Sequence, residues 1–228
     1  MVASIPVAAN IESLCARIAT AAVRAGRDAS AVKLIGASAA SKGVTDEMVV
    51  AALDAGLRDF GENYIQEAKE RIANLGERAS EANWHFIGHL QTNKAGLAAT
   101  LFDTIESVDS LKLAQALSRR AHSPLRLLLE VNVSGETSKH GLAPHEVAAT
   151  VDSAGALPNI ELVGLMTMAP DVDDVEQTRP VFRTLRQLAE ANGISELSMG
   201  MTNDFEVAVE EGATMVRIGR ALFAGAPQ

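Results

Sequence analysis

Hydrophobic positions along this chain alternate between short dense runs and longer stretches in which they return every three or four residues. The dense runs are 32–38, 58–62, 84–88, 102–107, 125–133, 161–168, 196–200 and 213–219. Each is bounded by Gly, Asn, Asp, Ser or Pro. Several, such as LRLLLEVNV, are too uniformly apolar for a strand with one wet face, which predicts parallel strands covered on both sides. The stretches between them carry a helical period. They predict helices over 45–55, 63–74, 109–121, 144–154, 175–191 and 203–211, a short one after Leu90, and one over 8–26 ahead of the first strand. Thr45 or Asp46 is placed to cap the first of these, and Gly56 to end it.

Eight strand–helix alternations in one chain of 228 residues predict an α/β fold, a single-domain (β/α)8 TIM-type barrel over 1–228 with an extra N-terminal helix. An open doubly wound sheet is the rival architecture. It usually carries a glycine-rich turn after its first strand, and neither GxGxxG nor GxxxxGK[ST] follows here. Composition narrows the function classes. A hydrophobic share of 47% and a charged share of 21% exclude disorder. A net charge of −9, from 20 basic and 29 acidic residues, argues against general nucleic-acid binding but leaves room for a local pocket for a small phosphate. No uncharged apolar stretch approaches the roughly 18 residues of a membrane span, and the first residues lack a basic segment followed by an apolar one, so no secretory leader is expected. The single cysteine allows no intrachain disulfide and suits a reducing, cytoplasmic setting. Cys15 falls among Ile11, Leu14 and Ile18 and is expected in the core. A monomer is expected.

In a barrel of this kind the chemistry gathers at the C-terminal strand ends. Lys42 follows the first strand and is a candidate Schiff-base amine. Glu62 and Asn63 end the second, able to bind a ligand or to cap the next helix. His85 and His89 lie four apart at the third, but one is within the strand and one beyond it, so no metal site is expected. Asn132, Ser134, Ser138, Lys139 and His140 follow the fifth strand, and Met166 and Met168 lie at the end of the sixth as barrel filling. The last two strands lead through Ser198-Met199-Gly200-Met201-Thr202-Asn203-Asp204 and through Arg217-Ile218-Gly219-Arg220 into helices. Hydroxyls, glycines and free helix-start amides at those two loops predict a phosphate cradle, with Arg217 as a fixed cation in the mouth. A cofactor that needs both an amine and a phosphate anchor is pyridoxal 5′-phosphate. A sugar-phosphate aldolase or isomerase would use the same pair.

Five segments carry a further likeness: FGENYIQEA (60–68), WHFIGHLQTNK (84–94), GETSKHGL (135–142), GLMTMAP (164–170) and LSMGMTNDFEVAVEEGATMVRIGRALF (197–223). In this collinear order, over about residues 8–223, the chain resembles the pyridoxal-phosphate homeostasis protein family, whose members are similar to the N-terminal barrel of alanine racemase standing alone. The resemblance implies a barrel that holds pyridoxal phosphate through a lysine aldimine, buffers and delivers vitamin B6, possible recipients being pyridoxal-phosphate-dependent apoenzymes, and carries no firmly assigned enzyme reaction. By motif position it implies Lys42 as the aldimine lysine, Asn63 beside the ring, Thr202 at a phosphate position usually held by serine, Arg217 at the pyridine nitrogen, and Gly219 with Arg220 at the phosphate turn. Ser198 belongs to the same cradle. Two departures stand out. The family reads Ser-Lys directly after the first strand, whereas Ala39-Ala40-Ser41 intervene here between Ser38 and Lys42. Counting from the strand puts Ala39 at the aldimine position; counting back from FGEN puts Lys42 there. The end of the chain reads LFAGA where the family usually has IFG-R. The resemblance also implies no efficient racemase activity, because the full racemases take their second base, a tyrosine, from a separate C-terminal domain, and the only tyrosine here is Tyr64.

Overall fold

In the computed structural model, which describes residues 6–38 and 43–223, each of the eight dense runs overlaps a strand. These are β1 (Lys33–Ala37), β2 (Asp59–Glu62), β3 (Asn83–Phe86), β4 (Thr104–Val108), β5 (Leu125–Glu130), β6 (Ile160–Met166), β7 (Glu196–Ser198) and β8 (Met215–Ile218). They pair in chain order, all parallel, and β8 returns to β1 to close a barrel. Closure leaves no unpaired strand edge. The helices ring the outside: α1 (Val7–Arg24), α2 (Asp46–Asp54), α3 (Ile65–Leu75), α4 (Ala95–Leu101), α5 (Leu111–Ser118), α6 (Val147–Gly155), α7 (Arg179–Ala191), α8 (Phe205–Glu210) and α9 (Arg220–Phe223). The fold is the α/β barrel with an additional N-terminal helix that the alternation predicts.

Local chemistry explains the boundaries. Thr45 Oγ1 accepts the Met48 N–H at 3.4 Å and starts α2. The apolar run 125–133 outlasts β5, because Asn132 turns the chain: its Nδ2 donates to the Glu136 carbonyl at 2.8 Å. Helix α1 buries Val7, Ile11, Leu14 and Ile18 against the barrel. It packs on α8 and α9, with Asn10 Nδ2 donating to the Leu222 carbonyl at 2.9 Å. Cys15 does not join that stripe; it is exposed. Each helical residue advances about 100°, so Cys15 stands one step past Leu14, outside the buried face, and the expected core cysteine is corrected.

Two apolar compartments result. The larger fills the space between strands and helices. The smaller lies inside the barrel and comprises Ile35, Leu128, Met166 and Met215. Strand side chains alternate with period two. One layer nearer the C-terminal mouth than Leu128 and Met215 therefore come Glu130 and Arg217, so the floor of the mouth is charged.

Candidate functional site

Arg217 is only 4% exposed. Its Nη1 donates to Ser198 Oγ at 2.6 Å and its Nη2 to the Thr167 carbonyl at 2.9 Å. Ser198 Oγ in turn donates to Glu106 Oε2 at 2.5 Å, and that oxygen lies 3.9 Å from Arg217 Nη1. The other Glu106 oxygen meets His85 Nδ1 at 2.7 Å, and His85 Nε2 meets Asp59 Oδ1 at 3.2 Å. A continuous polar chain thus crosses the barrel interior from β2 to β8. Burial acts against charge on His85, but hydrogen bonds and charge from Asp59 and Glu106 outweigh it and push its pKa up to about 9. Burial likewise acts against the Glu106 carboxylate, and His85, Arg217 and Ser198 together hold its pKa below the usual range. Burial draws the Arg217 pKa down, opposed by Glu106, Asp204 and Glu130. Arginine stays protonated nonetheless, so this is a fixed cation whose direction is locked by two acceptors.

Beside Arg217 opens a cavity of ≈ 330 Å³, lined also by Thr202, Asn203, Asp204, Gly219 and Arg220. Its size falls in the range of small-ligand pockets, about 300–1,000 Å³. Gly200 makes the turn into it with φ +94°, and a Cβ there would come within 2.5 Å of Ala208 Cβ and 2.9 Å of Phe205 Cα, so only glycine fits. Asp204 Oδ1 accepts the Met201 N–H at 2.6 Å and ties the loop. A hydroxyl, a rim guanidinium and a buried guanidinium are a donor set suited to a phosphorylated, anionic ligand, on a wall that the Asp171 and Asp204 carboxylates share. A second, larger cavity of ≈ 660 Å³ adjoins the ends of β2, β3 and β5; Asn63, Tyr64, His89, Lys94, Glu130 and His140 line it. Burial pushes the Glu130 carboxyl up, against the lowering pull of Arg217.

The residues singled out in the sequence therefore divide. Thr202, Arg217, Gly219 and Arg220 come together on one cavity. Asn63 lies on the other. Ser198 is fully buried, its oxygen spent on Glu106 and Arg217, so it supports the site from behind. Lys42 lies outside the described residues. The residue before that segment is fixed, since Ser38 Oγ donates to Glu62 Oε1 at 2.5 Å. Glu62 neither caps a helix nor lines either of these cavities: it is buried, and Arg71 Nε also donates to it at 2.9 Å. His85 points into the polar chain, not toward His89. Sequence reading missed Asp59, Glu106 and Glu130. Their one signal is a carboxylate within a strand segment.

The family pattern for the alanine racemase N-terminal domain matches residues 10–227. The chain is 46% identical over 222 residues to the pyridoxal phosphate homeostasis protein of Pseudomonas aeruginosa, covering 95% of this chain and 94% of that one. To the protein of the same name from Escherichia coli it is 37% identical, covering 95% of each. Among solved structures, PipY of Synechococcus elongatus with pyridoxal phosphate bound superposes with a TM-score of 0.76 at 33% identity, over 92% of this chain and 99% of that one. An alanine racemase of Clostridium difficile shares the fold, with a TM-score of 0.71 at 17% identity over 96% of this chain and 57% of that one.

Proposed function

This chain belongs to the pyridoxal phosphate homeostasis protein family, built on the alanine racemase N-terminal domain, and on that premise we propose that it binds pyridoxal 5′-phosphate and serves as a carrier and buffer of that cofactor rather than as an efficient enzyme. The observation that carries this reading is Arg217, a buried, doubly anchored cation on the wall of the cavity that also holds Thr202, Gly219 and Arg220.

In this reading Thr202, the backbone at Gly219 and the Arg220 side chain take the phosphate, whose charge they match. Arg217 faces the pyridine nitrogen. A guanidinium has donors and no acceptor, so it cannot take a proton from that nitrogen and disfavours protonation there. Bound pyridoxal phosphate supplies an electrophilic carbonyl and an electron sink, and an unprotonated ring weakens the sink. Asn63 contributes at the ring from the neighbouring cavity wall. Lys42 is the covalent anchor. Among the described residues no helix is long and apolar enough to cross a membrane, and we assign the protein to the cytoplasm, as a monomer that passes cofactor to pyridoxal-phosphate-dependent apoenzymes.

The test is the absorbance spectrum of the purified protein with pyridoxal phosphate, followed by borohydride reduction and peptide mapping. The expected result is a visible band that reduction abolishes, with the label on Lys42. Absence of saturable binding would overturn the function, and label on Lys94 or Lys139 would overturn the anchor. A variant lacking Ala39-Ala40-Ser41, which rebuilds Ser-Lys at the family spacing, should label at least as completely.

A further inference from the structure

His89 and His140 line the larger cavity and Asp109 stands beside them, three side chains that the proposed function does not use. His89 follows β3, Asp109 follows β4 and His140 lies on the loop after β5, so three strand ends in succession each deliver one. We infer that His89, Asp109 and His140 form a binding site for a divalent transition metal ion of the zinc, cobalt or nickel type. One ligand atom from each lies within 4.8 Å of the other two.

The spacing of one pair is close to that of two ligands on one ion. His89 Nδ1 and Asp109 Oδ2 are 3.6 Å apart, too far for a good hydrogen bond. Two donors on a tetrahedral ion with bonds of about 2.0–2.1 Å stand about 3.3 Å apart, so this pair needs only a small adjustment. Asp109 is oriented for the task. Ser110 Oγ donates to its Oδ1 at 3.0 Å, leaving Oδ2 toward His89, in the way that outer hydrogen bonds aim metal ligands.

His140 sits on an anchored loop. Asn132 Nδ2 donates to the carbonyls of Glu136 and Lys139, at 2.8 and 3.3 Å, and Lys139 Nζ donates to the Met168 carbonyl at 3.3 Å. The His140 ring lies against His89 with centroids 3.8 Å apart and planes 14° apart. Stacked rings point their nitrogens side by side, so His140 must turn about its own side-chain bonds to converge on the ion. Its exposure on the surface leaves room for that turn.

Two imidazoles and a carboxylate suit borderline ions and not calcium or magnesium, which take all-oxygen sets. Three protein ligands leave an open position, and the larger cavity lies alongside. The buried carboxyl of Glu130 lines that cavity. The expectation of no metal came from pairing His85 with His89; tertiary structure pairs His89 with two residues distant in sequence.

The experiment uses the tag-free full chain near neutral pH, titrated with Zn²⁺ against a chromophoric chelator and separately with Co²⁺, with and without pyridoxal phosphate. One equivalent should bind, and Co²⁺ should give the visible bands of a low-symmetry, four- or five-coordinate site. His89→Ala and His140→Ala should each weaken Zn²⁺ binding at least about tenfold, and the double variant should abolish the Co²⁺ bands. Cys15→Ser controls for the exposed thiol and should change nothing. Zn²⁺ binding that is weaker than millimolar, or equally tight in the double variant, overturns the site. The site does not depend on the cofactor reading: the double variant should keep the pyridoxal-phosphate spectrum, which also checks its folding.

Discussion

Replacing His85 by glutamine tests the polar chain beneath the mouth. Glutamine retains hydrogen-bonding capacity and removes the positive charge between Asp59 and Glu106. The pKa of His85 rises from an ordinary 6.5 to about 9 on folding, and each tenfold preference for the protonated form is about 1.4 kcal/mol, so the charge contributes on the order of 3 kcal/mol. That is a large part of the roughly 5–15 kcal/mol of a typical domain. A folded-state pKa above the unfolded one stabilises fully below the lower value and is lost as pH rises through the higher. Wild-type stability should therefore fall by about 3 kcal/mol between about pH 6.5 and 9 from this group alone. Glu106 and Asp59, whose pKa values are held down, act at the other end: their contribution is present above the ordinary carboxylate range and lost as pH falls. Urea unfolding of wild type and His85→Gln at several pH values is the assay. The variant should be less stable near neutrality, and the difference should shrink steadily toward pH 9. Two curves that stay parallel across that window would refute a charged His85, whatever the absolute loss.

Other perturbations follow from the same geometry. Arg217→Gln removes the cation that opposes Glu106, Glu130 and Asp204; breaking such a buried set should cost about 3–5 kcal/mol, read as a lowered midpoint in thermal or urea melts. Thr202→Ala combined with Gly219→Pro removes a hydroxyl and a backbone donor; at about 1.5–3 kcal/mol per bond to a charged group, pyridoxal-phosphate affinity should fall tenfold or more by fluorescence titration, and unchanged affinity in a folded protein would dissociate this cavity from the phosphate. Gly200→Ala forces a Cβ against Ala208 and Phe205 at φ +94°, so it should destabilise by about 1–3 kcal/mol and weaken cofactor binding, with circular dichroism melts and the same titration as checks.

Much of this protein was legible in one dimension. Eight strands overlap the dense runs, because strands covered on both faces are rich in apolar residues, and that demand is local. The helices were legible for the same reason, as was the turn at Gly200, where backbone geometry requires glycine. Cys15 was misread because a stripe on a helix has an edge that only its packing partner defines. What tertiary structure alone decided was pairing. Nothing near Glu106 in the chain indicates that its carboxylate would sit between His85 and Ser198, or that Ser198 would serve Arg217 from behind while Thr202 faced the cavity. His89, Asp109 and His140 are separated by long stretches of chain and meet only because consecutive barrel strands deliver their ends to one rim. Periodicity reports which face of an element is buried; barrel closure and register determine what each buried side chain meets there.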